Sequence, residues 1–381
     1  MEEESVVTVY AHINSVPNGS TGSIMMKEHR ELLAAGEDSY AFWGRGRAAA
    51  DECEMRFAND RDVRLDGLQT RLDGKAGFHS KAATRRLLAR LDELVPDVVH
   101  LHNLHGYYVN VEMLFEWLAA HDCRVEWTLH DCWAFTGHCA YFTYVNCGKW
   151  KNGSGCAGGC PKVHAYPKTF SKTSCAWNFE QKRRVFNLVP AERMKLITPS
   201  QWLSDLVGES FLGGYPVEVR HNTIDASVFK PTPSDFRERH GIGDRFMVLG
   251  VASPWSERKG LSDFVRLAGE LDPDRCKIVL VGLSEKQIEE MPADIVGLGR
   301  TDSPQQLAGI YSTADIVFNP THEDNYPTVN LEAEACGTPV VTYEVGGSAE
   351  TIGREDSCAV HPDYGVEFMK SLIERKVQCV L

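Results

Sequence analysis

Two acids, Asp324 and Glu332, stand in the run Thr321-His-Glu-Asp-Asn-Tyr-Pro-Thr-Val-Asn-Leu-Glu332, which continues Ala-Glu-Ala-Cys-Gly-Thr-Pro-Val-Val. Before them, Asp315 to Asn319 is a short β-rich segment that stops at Pro320. After them, Gly337-Thr-Pro339 halts a helix and releases a strand from Val340 to Tyr343. The acids therefore flank a strand-to-helix switch. The first backbone amides of that helix, those of Thr328, Val329 and Asn330, stand at the positive end of its dipole and suit a phosphate. Acids would repel a phosphate directly, so Asp324 and Glu332 are better matched to hydroxyls, of a ribose and of a sugar. Taken alone, the pattern also describes a helix with a solvated acidic start.

The flanking residues decide between these readings. The stretch resembles the retaining glycosyltransferases of family 4, in which two acids with seven residues between them precede Ala-x-Ala-Cys-Gly-x-Pro-Val-Val. The family's first acid is usually Glu, and Glu323 lies one position out of register. The role therefore maps to Asp324, with Glu323 as the alternative. The resemblance implies Glu332 on the ribose, Asp324 on the donor sugar, and the Thr328 to Asn330 amides on the diphosphate. In Val248-Leu-Gly-Val-Ala-Ser-Pro-Trp-Ser-Glu-Arg-Lys-Gly260, Lys259 matches a family Lys on the leaving phosphates. The family's Arg five residues earlier is Pro254 here, so that role is absent or passes to Arg258. A cation at this point would stabilise charge growing on the departing diphosphate, whereas the plain reading is a solvated Arg-Lys pair. Base recognition near Gly299 to Thr301, at Arg300, is a weaker carry-over.

Other sites lie in the first half. The loop Asn14-Ser-Val-Pro-Asn-Gly-Ser-Thr-Gly-Ser23 is followed by a helix expected from Ile24 to Ala35, and small residues there let amides approach an anion. Gly and Ser also make ordinary turns; the resemblance gives Gly22 and Ser23 a contact with the donor diphosphate or the acceptor. The strand Arg124 to Leu129 delivers His130 at its C-terminal end, where open α/β sheets bind ligands. The family commonly puts a His there against the transferred sugar, although a lone His is more often structural. His100, His102 and His105 crowd the preceding strand's end and are expected to line the acceptor pocket, without a specific metal spacing. Cys139, Cys147, Cys156 and Cys160 fall in a Gly-rich basic insertion, where four thiolates could hold a structural zinc or stay free. This insertion resembles one in bacterial enzymes that build colanic-acid-like surface polysaccharides. His221-Asn-Thr-Ile-Asp225, Gly346-Gly347 and Glu350 extend the family likeness along the chain.

These residues need a scaffold of alternating strands and helices, which argues for parallel sheets built from βαβ units. Strands are expected at Val6 to His12, Ser39 to Trp43, Val98 to Leu101, Arg124 to Leu129, Lys195 to Ile197 and Val217 to Arg220. After the proline-rich linker Phe229 to Ser234, they are expected at Phe246 to Gly250, Lys277 to Val281, Ile295 to Leu298, Asp315 to Asn319 and Val340 to Tyr343. The fold class is α/β, and the resemblance implies GT-B, two Rossmann-like domains facing a central cleft. An acceptor-binding domain would span 1–228, with the Cys-rich insertion at 137–170. A nucleotide-sugar domain would span 229–361, and 362–381 would form a helix crossing back to the first domain.

The chain has 381 residues, enough for two domains, with ordinary apolar content. Its net charge of −13 argues against a nucleic-acid binder. No apolar run could span a membrane and the start lacks a signal peptide's pattern, so the cytoplasm is expected. Basic residues cluster at Arg61, Arg64, Arg71, Lys75, Lys81, Arg85, Arg86 and Arg90, and again from Lys149 to Arg184. They read either as solvated faces or as a surface for an anionic membrane or lipid diphosphate.

The expected activity is transfer of a sugar from a UDP- or GDP-sugar to a glycan or undecaprenyl-diphosphate-linked acceptor, with no catalytic cofactor and peripheral inner-membrane association. A sugar-nucleotide epimerase and a non-catalytic glycan- or lipid-binding protein are the alternatives.

Overall fold

The structure is a computed structural model that describes residues 7–48, 51–151, 155–171 and 173–378. The chain divides after His221 into two compact units.

In the first unit, seven parallel strands form one sheet. They are β1 (Val9–Asn14), β2 (Asp38–Trp43), β3 (Glu54–Arg56), β4 (Val98–Leu101), β5 (Arg124–Thr128), β6 (Met194–Thr198) and β7 (Val217–Val219). Their order is β3-β2-β1-β4-β5-β6-β7, so chain direction across the sheet reverses between β1 and β4. The intervening helices are α1 (Gly19–Ala34), α2 (Asp60–Asp73), α3 (Lys81–Leu94), α4 (Val111–Ala120), α5 (Ser174–Phe186) and α6 (Gln201–Gly208). Strand alternation sorts the side chains. Ala11, Ile13, Val99 and Leu101 face a core with Phe115, Trp127 and Phe186, whereas Tyr10, His12 and His100 take the opposite parity.

The second unit repeats the plan with six parallel strands in the order β10-β9-β8-β11-β12-β13. These are β8 (Phe246–Val251), β9 (Cys276–Val281), β10 (Ile295–Leu298), β11 (Ile316–Asn319), β12 (Val340–Tyr343) and β13 (Cys358–Val360). Helices α7 (Phe236–Arg239), α8 (Leu261–Ala268), α9 (Glu285–Glu290), α10 (Pro304–Thr313), α11 (Thr328–Ala335) and α12 (Gly365–Gln378) accompany them. Here the switch falls between β8 and β11, which pair directly. In open sheets of this kind, ligands bind outside the carboxyl ends of the strands at the switch.

Both units are Rossmann-like, and the architecture is α/β GT-B. The terminal helix differs from the expectation for 362–381. Val366, Met369 and Ile373 of α12 enter the second unit's own core beside Phe264 and Tyr343, so its apolar face is already used there. Arg266 of α8 pairs with Glu367 at its start.

Candidate functional site

The β8–β11 pairing brings two loops together. The loop after β8 carries Arg258 and Lys259, and the loop after β11 carries Glu323 and Asp324. Lys259 Nζ donates to Asp324 Oδ2, and an Arg258 guanidinium nitrogen donates to the Glu323 carbonyl. The loops are also sewn by backbone, since His322 N–H donates to Arg258 O at 2.8 Å. Gly260 allows this approach. Its φ is +73°, and a Cβ there would lie 2.2 Å from the Pro320 carbonyl oxygen.

The two candidate first acids sit differently. The Glu323 residue is 1% exposed, whereas the Asp324 side chain retains 13% exposure and Lys259 20%. Burial pushes the Asp324 carboxyl upward, but Lys259 and Arg258 outweigh it and hold the group below its ordinary range. Asp324 is therefore a carboxylate at neutral pH. Gly346, at φ +57°, passes so close that a Cβ would fall 1.8 Å from the Asp324 carbonyl oxygen.

Helix α11 starts at Thr328 behind Pro327, and no side chain caps it. Its amides are not equivalent. Asn330 N–H donates to the Pro327 carbonyl at 3.2 Å, which leaves Thr328 and Val329 as the better anion donors of the three expected. The Asn330 side chain is buried, accepting from Asn319 Nδ2 at 2.9 Å and donating to Thr351 Oγ1 at 2.8 Å. Asn330 thus anchors the helix rather than presenting itself to a ligand. Glu332, one turn on, accepts from the Tyr311 hydroxyl at 3.1 Å. Burial raises its carboxyl, opposed by hydrogen bonds from Tyr311 and Thr328. Sequence reasoning missed Tyr311, because nothing marks a helical tyrosine as a partner before the fold is known. Arg300 is exposed and donates from Nε to Ser253 Oγ at 2.6 Å, which ties the proposed base-side loop to the loop after β8.

In the first unit, α1 begins five residues before its expected start, so Gly22 and Ser23 are its fourth and fifth residues rather than part of a preceding loop. Gly22 is buried, and a Cβ would lie 2.6 Å from the Pro17 carbonyl carbon. Ser23 is exposed. His130 follows β5, with Nε2 3.3 Å from His102 Nδ1. Burial brings its imidazole down to about 4, with Asp131 pulling upward and His105 downward. His105 Nε2 lies 2.7 Å from Asp131 Oδ2 and Nδ1 3.1 Å from the Tyr166 hydroxyl. His100 and His102 are 4% and 1% exposed, and His102 lines a small hollow with His105 and His130.

The cysteine cluster differs in membership. The Cys139 and Cys175 thiols both point at Cys160 and lower its thiol strongly, while Cys156 Sγ accepts from Gly137 N–H at 3.2 Å. Cys175, on α5 and outside the insertion, was not foreseen. Among the described residues, the expected quartet Cys139, Cys147, Cys156 and Cys160 does not close into a set at metal-ligand distances. Beside it Lys182 is buried, donating to the Trp133 and Thr136 carbonyls at 2.7 and 3.0 Å.

Residues 245–375 match the family described as glycosyl transferases group 1. Among curated proteins the chain is similar to the colanic acid biosynthesis glycosyl transferase WcaC of Escherichia coli K12, 23% identical over 368 residues, covering 88% of this chain and 82% of that one. A D-inositol 3-phosphate glycosyltransferase of Corynebacterium jeikeium is 32% identical over 172 residues, 40% of this chain and 41% of its own. Among solved structures, the sucrose-phosphate synthase of Thermosynechococcus elongatus superposes with a TM-score of 0.68 at 14% identity, over 97% of this chain and 89% of that one. HepE of Anabaena, solved with UDP-glucose, gives 0.61 at 16% identity over 97% and 90%. At such identities the structural likeness establishes the fold.

Proposed function

We infer that this chain, a glycosyltransferase of GT-B fold whose second unit matches the group 1 family, takes a sugar from a nucleoside-diphosphate sugar and joins it to a surface-glycan hydroxyl with retention of anomeric configuration. The observation that carries this reading is the placement of Lys259 and Asp324 at the β8–β11 switch, next to the uncapped start of α11 and one turn from Glu332. Each donor part has a matching group. The Thr328 and Val329 amides with Lys259 and Arg258 suit the diphosphate, Asp324 the sugar hydroxyls, and Glu332 the ribose. As the bond from the anomeric carbon to the diphosphate breaks, the acceptor oxygen attacks the same face. Its proton passes to the leaving phosphate oxygen, and the cations stabilise the charge gathering there. His130 is the first-unit candidate to contact the transferred sugar. HepE binds UDP-glucose and a trehalose-phosphate synthase of Burkholderia xenovorans is UDP-forming, which favours a uridine donor for the first trials.

A lipid-linked acceptor is supported by α2. Its stripe of Arg61, Arg64, Leu65, Leu68, Arg71 and Leu72 is exposed, the leucines at 57%, 57% and 65%. Acids on the same helix are turned to partners, Asp60 to Arg56 and Asp62 to Arg86, and Asp66 is buried. A basic, leucine-bearing face of this kind fits an anionic membrane surface, peripherally. Among the described residues no helix is long and apolar enough to cross a membrane.

The test is nucleotide release from UDP- and GDP-sugars with and without lipid-linked acceptors, followed by NMR of the product's anomeric proton. Acceptor-dependent release with the donor's anomeric configuration kept supports the reading. Conversion of the nucleotide sugar without acceptor would mean epimerase chemistry instead.

A further inference from the structure

Helix α1 packs on β1 and β2 of the first sheet with a small apolar cluster of Met25, Met26 and Ala41. The remaining contact is polar. His12 and His100 are register partners on adjacent strands and so share a face, and His102, two residues beyond His100, continues it. From the helix side Glu28 reaches into the same space. Its Oε2 lies 3.2 Å from His100 Nδ1 and 3.5 Å from His102 Nε2. His12, His100 and His102 are 1%, 4% and 1% exposed.

These groups are crowded but not satisfied. Both ring nitrogens of His12, Nε2 of His102 and Oε2 of Glu28 are buried without a hydrogen-bond partner. Native interiors seldom leave polar atoms this way. The outward nitrogens of His100 and His102, by contrast, are engaged. His100 Nε2 lies 2.8 Å from Thr128 Oγ1 and His102 Nδ1 3.3 Å from His130 Nε2. That division, one nitrogen held by a neighbour and the other turned toward a shared point, is how metal-bound histidines are arranged.

We propose that His12, Glu28, His100 and His102 form a structural site for a divalent transition metal, zinc by donor chemistry, between α1 and the first sheet. One donor atom from each of the four lies within 4.8 Å of the others. A tetrahedral zinc with bonds of about 2.0–2.1 Å spaces its ligands roughly 3.4 Å apart. The Glu28 distances to His100 and His102 already match that edge, and the other pairs, all within 4.8 Å, would close by at most about 1.4 Å to reach it. Three imidazoles and one carboxylate are donors that zinc accepts. The ion would pin α1, whose fourth and fifth residues are Gly22 and Ser23. With His102 bound through Nε2, its Nδ1–H donates to His130 Nε2, and the proton of a neutral His130 then sits on Nδ1. The metal is thereby a positioning element for His130.

The cysteines also offer zinc ligands, so the experiment separates sulfur from nitrogen and oxygen. Chelator-treated full-length protein is titrated with Zn²⁺ and with Co²⁺, and bound metal is read by elemental analysis, X-ray absorption and the cobalt visible spectrum. The expected result is one equivalent with an all-N/O shell near about 2.0 Å, showing cobalt d–d bands without sulfur charge transfer. Glu28→Gln and His12→Gln each lose that equivalent. Thr128→Val, which removes only the partner of His100, weakens metal affinity about 10- to 100-fold and guards against misfolding of the other variants. The proposal is overturned if wild type binds no metal and the cluster holds only water, if every bound ion has a sulfur shell of about 2.3 Å, or if Glu28→Gln and His12→Gln retain the wild-type amount.

Discussion

Lys259 and Asp324, 65 residues apart in sequence, are joined by an ion pair across the loops that leave two adjacent strands of the second sheet. The pairing follows from topology. β8 and β11 are neighbours at the switch point, so whatever follows them must meet, and Gly260 removes the Cβ that would hold the loops apart. On the function proposed above, a donor phosphate at the start of α11 would meet a lysine already oriented by its ion pair with Asp324.

Lys259→Ala should lower kcat/KM by about 10²- to 10³-fold, the scale of losing one preorganised charge stabiliser. Asp324→Asn should act mainly through the donor sugar. Glu323→Gln, changing a residue with 1% exposure, should instead lower Tm with a smaller effect on KM for the donor. Steady-state kinetics and thermal melts on the three variants distinguish these roles. The assignment of Asp324 fails if Glu323→Gln has the larger kinetic defect.

Glu332 links function to pH. Its folded carboxyl titrates above the ordinary value of 4.5 because burial disfavours the charge. Between the unfolded and folded values the native state holds more protons, so stability falls as pH rises through that window. Above the folded value the cost stands in full. Glu332→Gln should therefore raise Tm on the alkaline side of that window and lose that advantage below about pH 4. It should also weaken donor binding, by roughly 1.5–3 kcal/mol for a charged hydrogen bond to hydroxyls. Melts across pH 4–8 together with calorimetric titration check both halves.

Gly346→Ala should impair the site without touching a ligand. A Cβ at 1.8 Å from the Asp324 carbonyl, on a backbone at φ +57°, forces that segment to move, and the conformation alone costs about 1–2 kcal/mol for a residue with a Cβ. The expected result is a lower Tm and a raised donor KM. Gly208→Ala, where a Cβ would meet nothing within 4 Å, is the control and should behave as wild type.

Much of this was legible in the sequence. Strands such as Val98–Leu101, Ile295–Leu298 and Val340–Tyr343 were bounded correctly because apolar runs between turn residues have few other solutions. β3 and β13 escaped notice. Each is a three-residue sheet edge with half-buried side chains, so pairing creates it rather than periodicity. The acids of the α11 loop could be named, but not that Asn330 turns inward, since a polar residue in a first helical turn looks solvent-facing until β11 packs beside it. The histidines near β4 were visible as a group. Their burial under α1 was not, because it depends on His12, almost ninety positions earlier, lying in register with His100.

The α2 stripe gives a surface prediction. Wild type should sediment with vesicles containing anionic phospholipid and much less with zwitterionic ones, and the binding should weaken with salt. Replacing Leu65, Leu68 and Leu72 together by Ser should abolish it while leaving sugar transfer to a soluble acceptor, read as nucleotide release, unchanged. Equal binding to both vesicle types would remove the charge argument.

The most direct test of the central claim is calorimetric titration of UDP- and GDP-sugars into wild type and Glu332→Ala, with unfolding temperatures confirming that both are folded. The account predicts one-to-one binding of at least one donor by wild type, weakened tenfold or more in the variant. Absence of binding for every UDP- and GDP-sugar, or equal affinity in Glu332→Ala, would contradict it.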